Sequence, residues 1–120
     1  MYRFDNEQKE IHFDKYNTPT PWMNYLSNGV FHTMISHCGG GVAFYKSPQI
    51  WRINHYRFFH LPTDRSGFYT YIRDGGEVWT PTNEPCATKP ETWTSTHGMG
   101  YTRFAAVRKG LHATATYFVG

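Results

Sequence analysis

Charge is scarce in this 120-residue chain, where Asp, Glu, Lys and Arg together make up 18% of the residues. The 12 basic residues are set against 9 acidic ones and are scattered singly from Arg3 to Lys109. A nucleic-acid surface needs a clustered basic stripe, so that class of partner is excluded. Cysteine is nearly absent as well. Cys38 and Cys86 stand far apart with no CxxC or Cys/His metal spacing, which predicts two free thiols and neither a disulfide framework nor a zinc site. No run of apolar residues approaches a membrane span, and the opening Met-Tyr-Arg-Phe-Asp-Asn-Glu lacks the apolar stretch of a signal peptide. The chain is therefore expected to be soluble and cytoplasmic, with no membrane partner. Sustained 3.6-residue periodicity, internal repeats and low-complexity tracts are missing too, so no long helix is expected.

Aromatic side chains are plentiful: nine Tyr, nine Phe and four Trp. They suit half-buried pleated sheets and equally suit platforms for sugar rings. Period-two alternation is cleanest at the end, where Leu111, Ala113, Ala115, Tyr117 and Val119 interleave with His112, Thr114, Thr116 and Phe118. This strand is predicted to pair with residues 100–108 through the two-residue link Lys109-Gly110. The same grammar predicts hairpins between 67–73 and 77–80 around Asp74-Gly75-Gly76, and between 30–36 and 42–46 around Gly39-Gly40-Gly41. Residues 2–4 and 11–16 form a further expected pair. Pro48, Pro62, Pro81, Pro85 and Pro90 mark loops, because proline cannot donate to a sheet ladder. The chain length fits one domain, and the pattern predicts an all-β, antiparallel sandwich. The sequence stops at Gly120 directly after a strand, which reads as a piece of a longer sandwich whose last strand lies at an open edge.

Four ordered blocks give this pattern a family. Thr20-Pro21-Trp22-Met23-Asn24-Tyr25-Leu26, then Ile35 to Lys46 through His37-Cys38-Gly39-Gly40-Gly41, then Arg52-Ile53-Asn54-His55-Tyr56-Arg57, then His97-Gly98-Met99-Gly100-Tyr101-Thr102-Arg103 resemble the start of family 94 glycoside phosphorylases, the cellobiose and chitobiose phosphorylases. Phe4-Asp5-Asn6-Glu7 and Pro62-Thr63-Asp64-Arg65-Ser66-Gly67 also fit. The chain departs from the family pattern at His37-Cys38, where an Asn followed by Thr or Ala is frequent, and at Met99, where Leu is usual. The resemblance implies the first part of a galactose mutarotase-like β super-sandwich, occupying residues 1–120. A helical linker, an (α/α)6 barrel and a small sheet would complete the enzyme outside this chain. It further implies a homodimer that cleaves β-linked di- or oligosaccharides with inorganic phosphate and needs no other cofactor.

Inverting phosphorolysis requires one general acid on the glycosidic oxygen and a cationic grip on the attacking phosphate. In the resembled family both lie in the helical barrel, so no catalytic residue is assigned here and the chain alone is expected to be inactive. The local carboxylates support that expectation. Asp64 and Asp74 fall in turns, and Asp5, Glu7, Glu10 and Asp14 crowd the polar start, where turn chemistry explains them. The seven histidines His12, His32, His37, His55, His60, His97 and His112 show no HxH or HExxH spacing, so no metal site is expected. Gly39-Gly40-Gly41 lacks the Lys-Ser/Thr ending of a phosphate loop, which leaves a sharp turn or close backbone approach. The candidate substrate-binding residues are Trp22, Asn24, His97 and Tyr101, each of which can also be explained by packing. The competing functions are a stand-alone carbohydrate-binding module using Trp22, Trp51, Trp79 or Trp93, and a sandwich that associates through a sheet edge.

Overall fold

The computed structural model describes residues 1–54 and 66–120. His55, Tyr56, Arg57, His60, Pro62, Asp64 and Arg65 therefore lie outside the described residues. Ten strands and no helix occur among those described. β1 (Tyr2–Asp5), β2 (Glu10–Phe13), β8 (Thr92–Gly98), β9 (Tyr101–Arg108) and β10 (Leu111–Phe118) form a five-stranded sheet in the order β1-β2-β8-β9-β10. β3 (Met23–Ser27), β4 (Phe31–Ser36) and β5 (Gly41–Tyr45) form a second sheet, and β6 (Ile72–Asp74) pairs with β7 (Glu77–Trp79). Every pairing is antiparallel.

The alternation at the end of the chain sets the inner face. Ala113 and Ala115 pair with Ala106 and Phe104, both buried, so the odd-numbered side of β10 faces the core while His112, Thr114, Thr116 and Phe118 face outward. The link Lys109-Gly110 has φ of 50° and 78°, the left-handed pair that a tight two-residue hairpin requires. Phe13, Leu26, Ile35, Trp79, Trp93, Phe104 and Ala106 make one core drawn from both larger sheets and from β7. The resulting architecture is the expected antiparallel sandwich.

Several elements depart from the sequence reading. Residues 67–71 are not a strand beyond one bridge, Gly40 to Gly67, because this segment is held by single backbone bonds such as Phe68 N–H to Gly39 O at 2.8 Å. The expected close backbone approach at the glycine run is this contact. β2 ends at Phe13 instead of continuing to Tyr16, and Gly41 opens β5. β3 and β8 were not expected, and the segment from His97 to Thr102 is a strand end, a turn at Met99-Gly100 and a strand start. Trp79 and Trp93 are buried, so among the Trp platforms considered only Trp51 is well exposed, with Trp22 half-buried.

Candidate functional site

The two larger sheets meet where β3 crosses the β8–β9 hairpin, and the polar residues there are engaged with one another. Asn24 directs its Nδ2 amide to Gly98 O at 3.0 Å, Tyr101 O at 2.9 Å and Thr102 Oγ1 at 3.1 Å. Two of those acceptors are carbonyls, which fixes the amide orientation. His97, buried at 6% exposure, donates from Nε2 to Trp22 O at 3.0 Å, so its neutral ring accepts from Thr102 Oγ1 at Nδ1, 3.0 Å away. Trp22 N–H in turn donates to Nδ1 of His37 at 3.2 Å. That contact places the His37 proton on Nε2, from which it reaches Tyr16 O at 3.2 Å and Thr18 Oγ1 at 3.1 Å. The backbone of Trp22 is thus held between two neutral histidines. The Phe13 ring packs against both, with centroids 5.0 Å from His37 and 5.3 Å from His97.

Burial sets the electrostatics. Desolvation is the largest influence on His97 and brings its pKa down to about 4, opposed by the Trp22 carbonyl and assisted by nearby His37. His37 is lowered for the same first reason, against the pull of the Tyr16 and Trp22 backbone groups. Burial, with Glu84 adding to it, pushes the Cys38 thiol up to about 12, so although its Sγ is 3.3 Å from His37 Nε2 it is no activated nucleophile.

Trp22, Asn24 and His97 line one open groove of about 410 Å³, together with Lys9, Tyr25 and Met99. Tyr101, the remaining candidate, is not among the residues lining it. Its ring lies against Gly98, where an added Cβ would come within 2.4 Å of the ring, and its hydroxyl donates to Glu10. Only glycine allows that ring to close over the hairpin. The structure therefore brings all four sequence candidates together, with the Asn24 amide and the His97 ring bonded to backbone carbonyls and to Thr102, and the Tyr101 hydroxyl to Glu10.

Most carboxylates are engaged locally. Asp5 accepts from Glu7 and Gln8 N–H, Glu77 meets Arg108 and Lys109, Glu91 accepts from Lys109 N–H, and Glu10 also faces His12. No group of three or more His, Cys, Asp or Glu arranged to hold a metal occurs among the described residues. Cys38 and Cys86 are both free. Glu10, assigned to turn chemistry in the sequence, opens β2 and accepts from Tyr101, while Thr18 and Tyr16 were not proposed for the site, because isolated polar residues in turns carry no pattern that periodicity can detect.

Comparison with known proteins places this arrangement. The model of the glycosyl hydrolase 94 supersandwich domain matches residues 7–120. The N,N'-diacetylchitobiose phosphorylases of Vibrio proteolyticus and Vibrio furnissii are each 37% identical over 120 residues. Those alignments cover 97% of this chain and 15% of each relative. The solabiose phosphorylase of Paenibacillus borealis is 33% identical over 119 residues, covering 97% of this chain and 16% of its own length. The chain thus spans about one sixth of the length of these relatives. Its match to the family model over nearly all its residues shows that it belongs to the glycosyl hydrolase 94 family, as part of the supersandwich domain.

Proposed function

We propose that this chain is a scaffold and interface portion of a glycoside phosphorylase whose chemistry resides in a helical barrel outside these 120 residues. The observation that carries the proposal is the supersandwich match over residues 7–120, with relatives named as phosphorylases. In the whole enzyme, a carboxylic acid of the barrel protonates the glycosidic oxygen while inorganic phosphate attacks C1 from the opposite face. The C1–O bond breaks, giving an inverted sugar 1-phosphate and the freed sugar. A β-linked disaccharide of the N,N'-diacetylchitobiose type is the substrate class we favour, since the relatives named for it share the higher identity. The cytoplasmic, homodimeric setting and the absence of any cofactor beyond phosphate belong to the same proposal.

The proposal is tested by incubating the chain with phosphate and either N,N'-diacetylchitobiose or cellobiose. Release of sugar 1-phosphate no faster than the protein-free blank is expected. Phosphate-dependent release above that blank would overturn the scaffold reading.

A second reading, sugar binding by the domain itself, is favoured by one observation: Trp22, Asn24 and His97 line the groove beside Tyr25, which is 71% exposed. With the polar atoms of His97 and the Asn24 amide engaged, such a site would rely on ring surface. It predicts a saturable change in tryptophan fluorescence with chitin oligosaccharides that Tyr25→Ala weakens, and a flat titration removes it.

A further inference from the structure

We propose that His37 is a pH-sensitive latch that holds the connection between β2 and β3, residues 15–21, against the β4–β5 turn and releases it on acidification while both sheets stay folded. This inference rests on hydrogen-bond geometry and does not depend on the phosphorylase reading.

The connection lies outside every ladder and is mostly exposed, and Pro19 and Pro21 have no N–H to offer a partner. One imidazole gathers it instead. His37 Nε2 donates to Tyr16 O at 3.2 Å and to Thr18 Oγ1 at 3.1 Å, and the Thr18 hydroxyl donates in turn to Thr20 O at 2.7 Å. At the far end of the connection, His37 Nδ1 accepts from Trp22 N–H at 3.2 Å. The hinges are separate from the latch. Asp14 N–H bonds to Met1 O at 3.2 Å, and Trp22 O accepts from His37 N–H at 2.9 Å and from His97 Nε2 at 3.0 Å. Trp22 also lines the open groove, which puts one wall of that groove beside the segment that moves.

A proton added at Nδ1 meets the Trp22 N–H donor against donor, and a backbone N–H cannot turn away. The ring has no room to turn either: His37 is 1% exposed, with the Phe13 ring 5.0 Å away and Cys38 Sγ 3.3 Å from Nε2. The groups that face it are the Tyr16 carbonyl, the Thr18 hydroxyl, the Trp22 N–H, the Phe13 ring and the Cys38 thiol, with neutral His97 beyond Trp22. Among the described residues none of these carries a negative charge. Asp14 and Lys15 are exposed, Glu10 is engaged by Tyr101 and His12, and Glu84 bears on Cys38. The influences on His37 itself are burial first, then the Tyr16 and Trp22 backbone groups. With burial opposing the charge, the exposed connection is the part that yields, and once it lifts the hydrated imidazole takes up its proton at the ordinary value of 6.5.

Hydrogen exchange of single amides, followed by NMR, tests the latch, with the Phe104 N–H in the middle of β9 reporting global unfolding. The Trp22 N–H is expected to be far less protected than Phe104 and indifferent to low urea concentrations, as a local opening requires. After correction for intrinsic exchange, its protection should fall severalfold between pH 7 and pH 5.5, with a ceiling of about eightfold set by a free imidazole of pKa 6.5. In His37→Asn the side chain keeps an acceptor for Trp22 N–H and does not titrate. That variant is expected to lose the pH dependence at Trp22, while Phe104 retains the share due to His97. Equal Trp22 protection at the two pH values in the natural chain, an equal fall in His37→Asn, or a Trp22 amide as protected and as urea-sensitive as Phe104 would each overturn the proposal.

Discussion

Acidification from pH 7 to pH 4 is expected to destabilise this sandwich by about 3 kcal/mol through His97 alone, the free energy of a pKa brought from 6.5 to about 4. The direction follows from which state binds the proton. Both His37 and His97 have folded pKa values below the unfolded value of 6.5, so between those limits the unfolded chain takes up protons that the folded chain refuses. Stability is fully present above about pH 6.5 and falls as the pH drops towards 4, below which His97 adds no further slope. His37 acts in the same direction by a stricter mechanism. Thr102 can turn its hydroxyl to accept from a protonated His97, but the Trp22 N–H that faces His37 Nδ1 cannot reverse.

The carboxylates enter only at the acid end of this window, so a comparison of pH 7 with pH 5 reads mainly the histidines. Asp5, lowered chiefly by the Gln8 N–H, and Glu77, lowered chiefly by Arg108, have folded values below their ordinary 3.8 and 4.5. Their contribution is therefore present above the ordinary carboxylate range and is lost only as the pH falls through and below it. Urea midpoints measured at pH 7 and pH 5 should show a clear fall for the natural chain. His97→Gln, whose amide can still donate to Trp22 O, should show a much smaller one. Equal midpoints at the two pH values would mean that the histidines are not held neutral. His37→Asn offers a matching test, since the Asn carbonyl can accept from Trp22 N–H without titrating. Asn is also the residue frequent at that place in the resembled family.

Replacing Phe104 by Ala is expected to cost about 3–5 kcal/mol, the range for truncating a buried aromatic ring. Phe104 is 0% exposed, shares the core with Leu26 and Ile35 of the facing sheet, and meets the Tyr117 ring edge-on at 5.8 Å. A loss of that size approaches the whole stability of many domains, about 5–15 kcal/mol. Phe4→Ala is the internal comparison, because Phe4 is 57% exposed on β1 and should cost under about 1 kcal/mol. Urea midpoints read both. A Phe104→Ala variant no weaker than Phe4→Ala would show that β9 turns its other face to the core.

The strands legible in the sequence are those whose inward residues are apolar or small. β10 sends Ala113, Ala115 and Tyr117 inward against threonines outside, and the turn residues Lys109-Gly110 fix its partner and register. β3 and β8 escaped the same reading because the residues they turn inward are polar. β3 faces the other sheet with Asn24 as well as Leu26, and β8 buries Ser95 and His97. Hydrophobic alternation vanishes where a strand buries hydrogen-bonding groups, and on β3 and β8 those groups include two of the four candidate site residues, Asn24 and His97. The opposite error arose at residues 67–71, where Phe68, Tyr69 and Tyr71 have strand-forming side chains but little ladder to join. The family resemblance located Trp22, Asn24, His97 and Tyr101, yet only the tertiary placement of β3 across the hairpin shows that one network joins them.

The organisation of the domain depends on Trp22 being clasped by two uncharged imidazoles that join the sheets. Long-range nitrogen–proton NMR of the histidine rings at pH 7 and pH 5.5 tests this most directly. His97 is predicted to carry a single proton on Nε2 at both pH values, and His37 to carry its proton on Nε2 at pH 7. Either ring protonated on Nδ1, or titrating near pH 6.5 as a free imidazole does, would contradict the account.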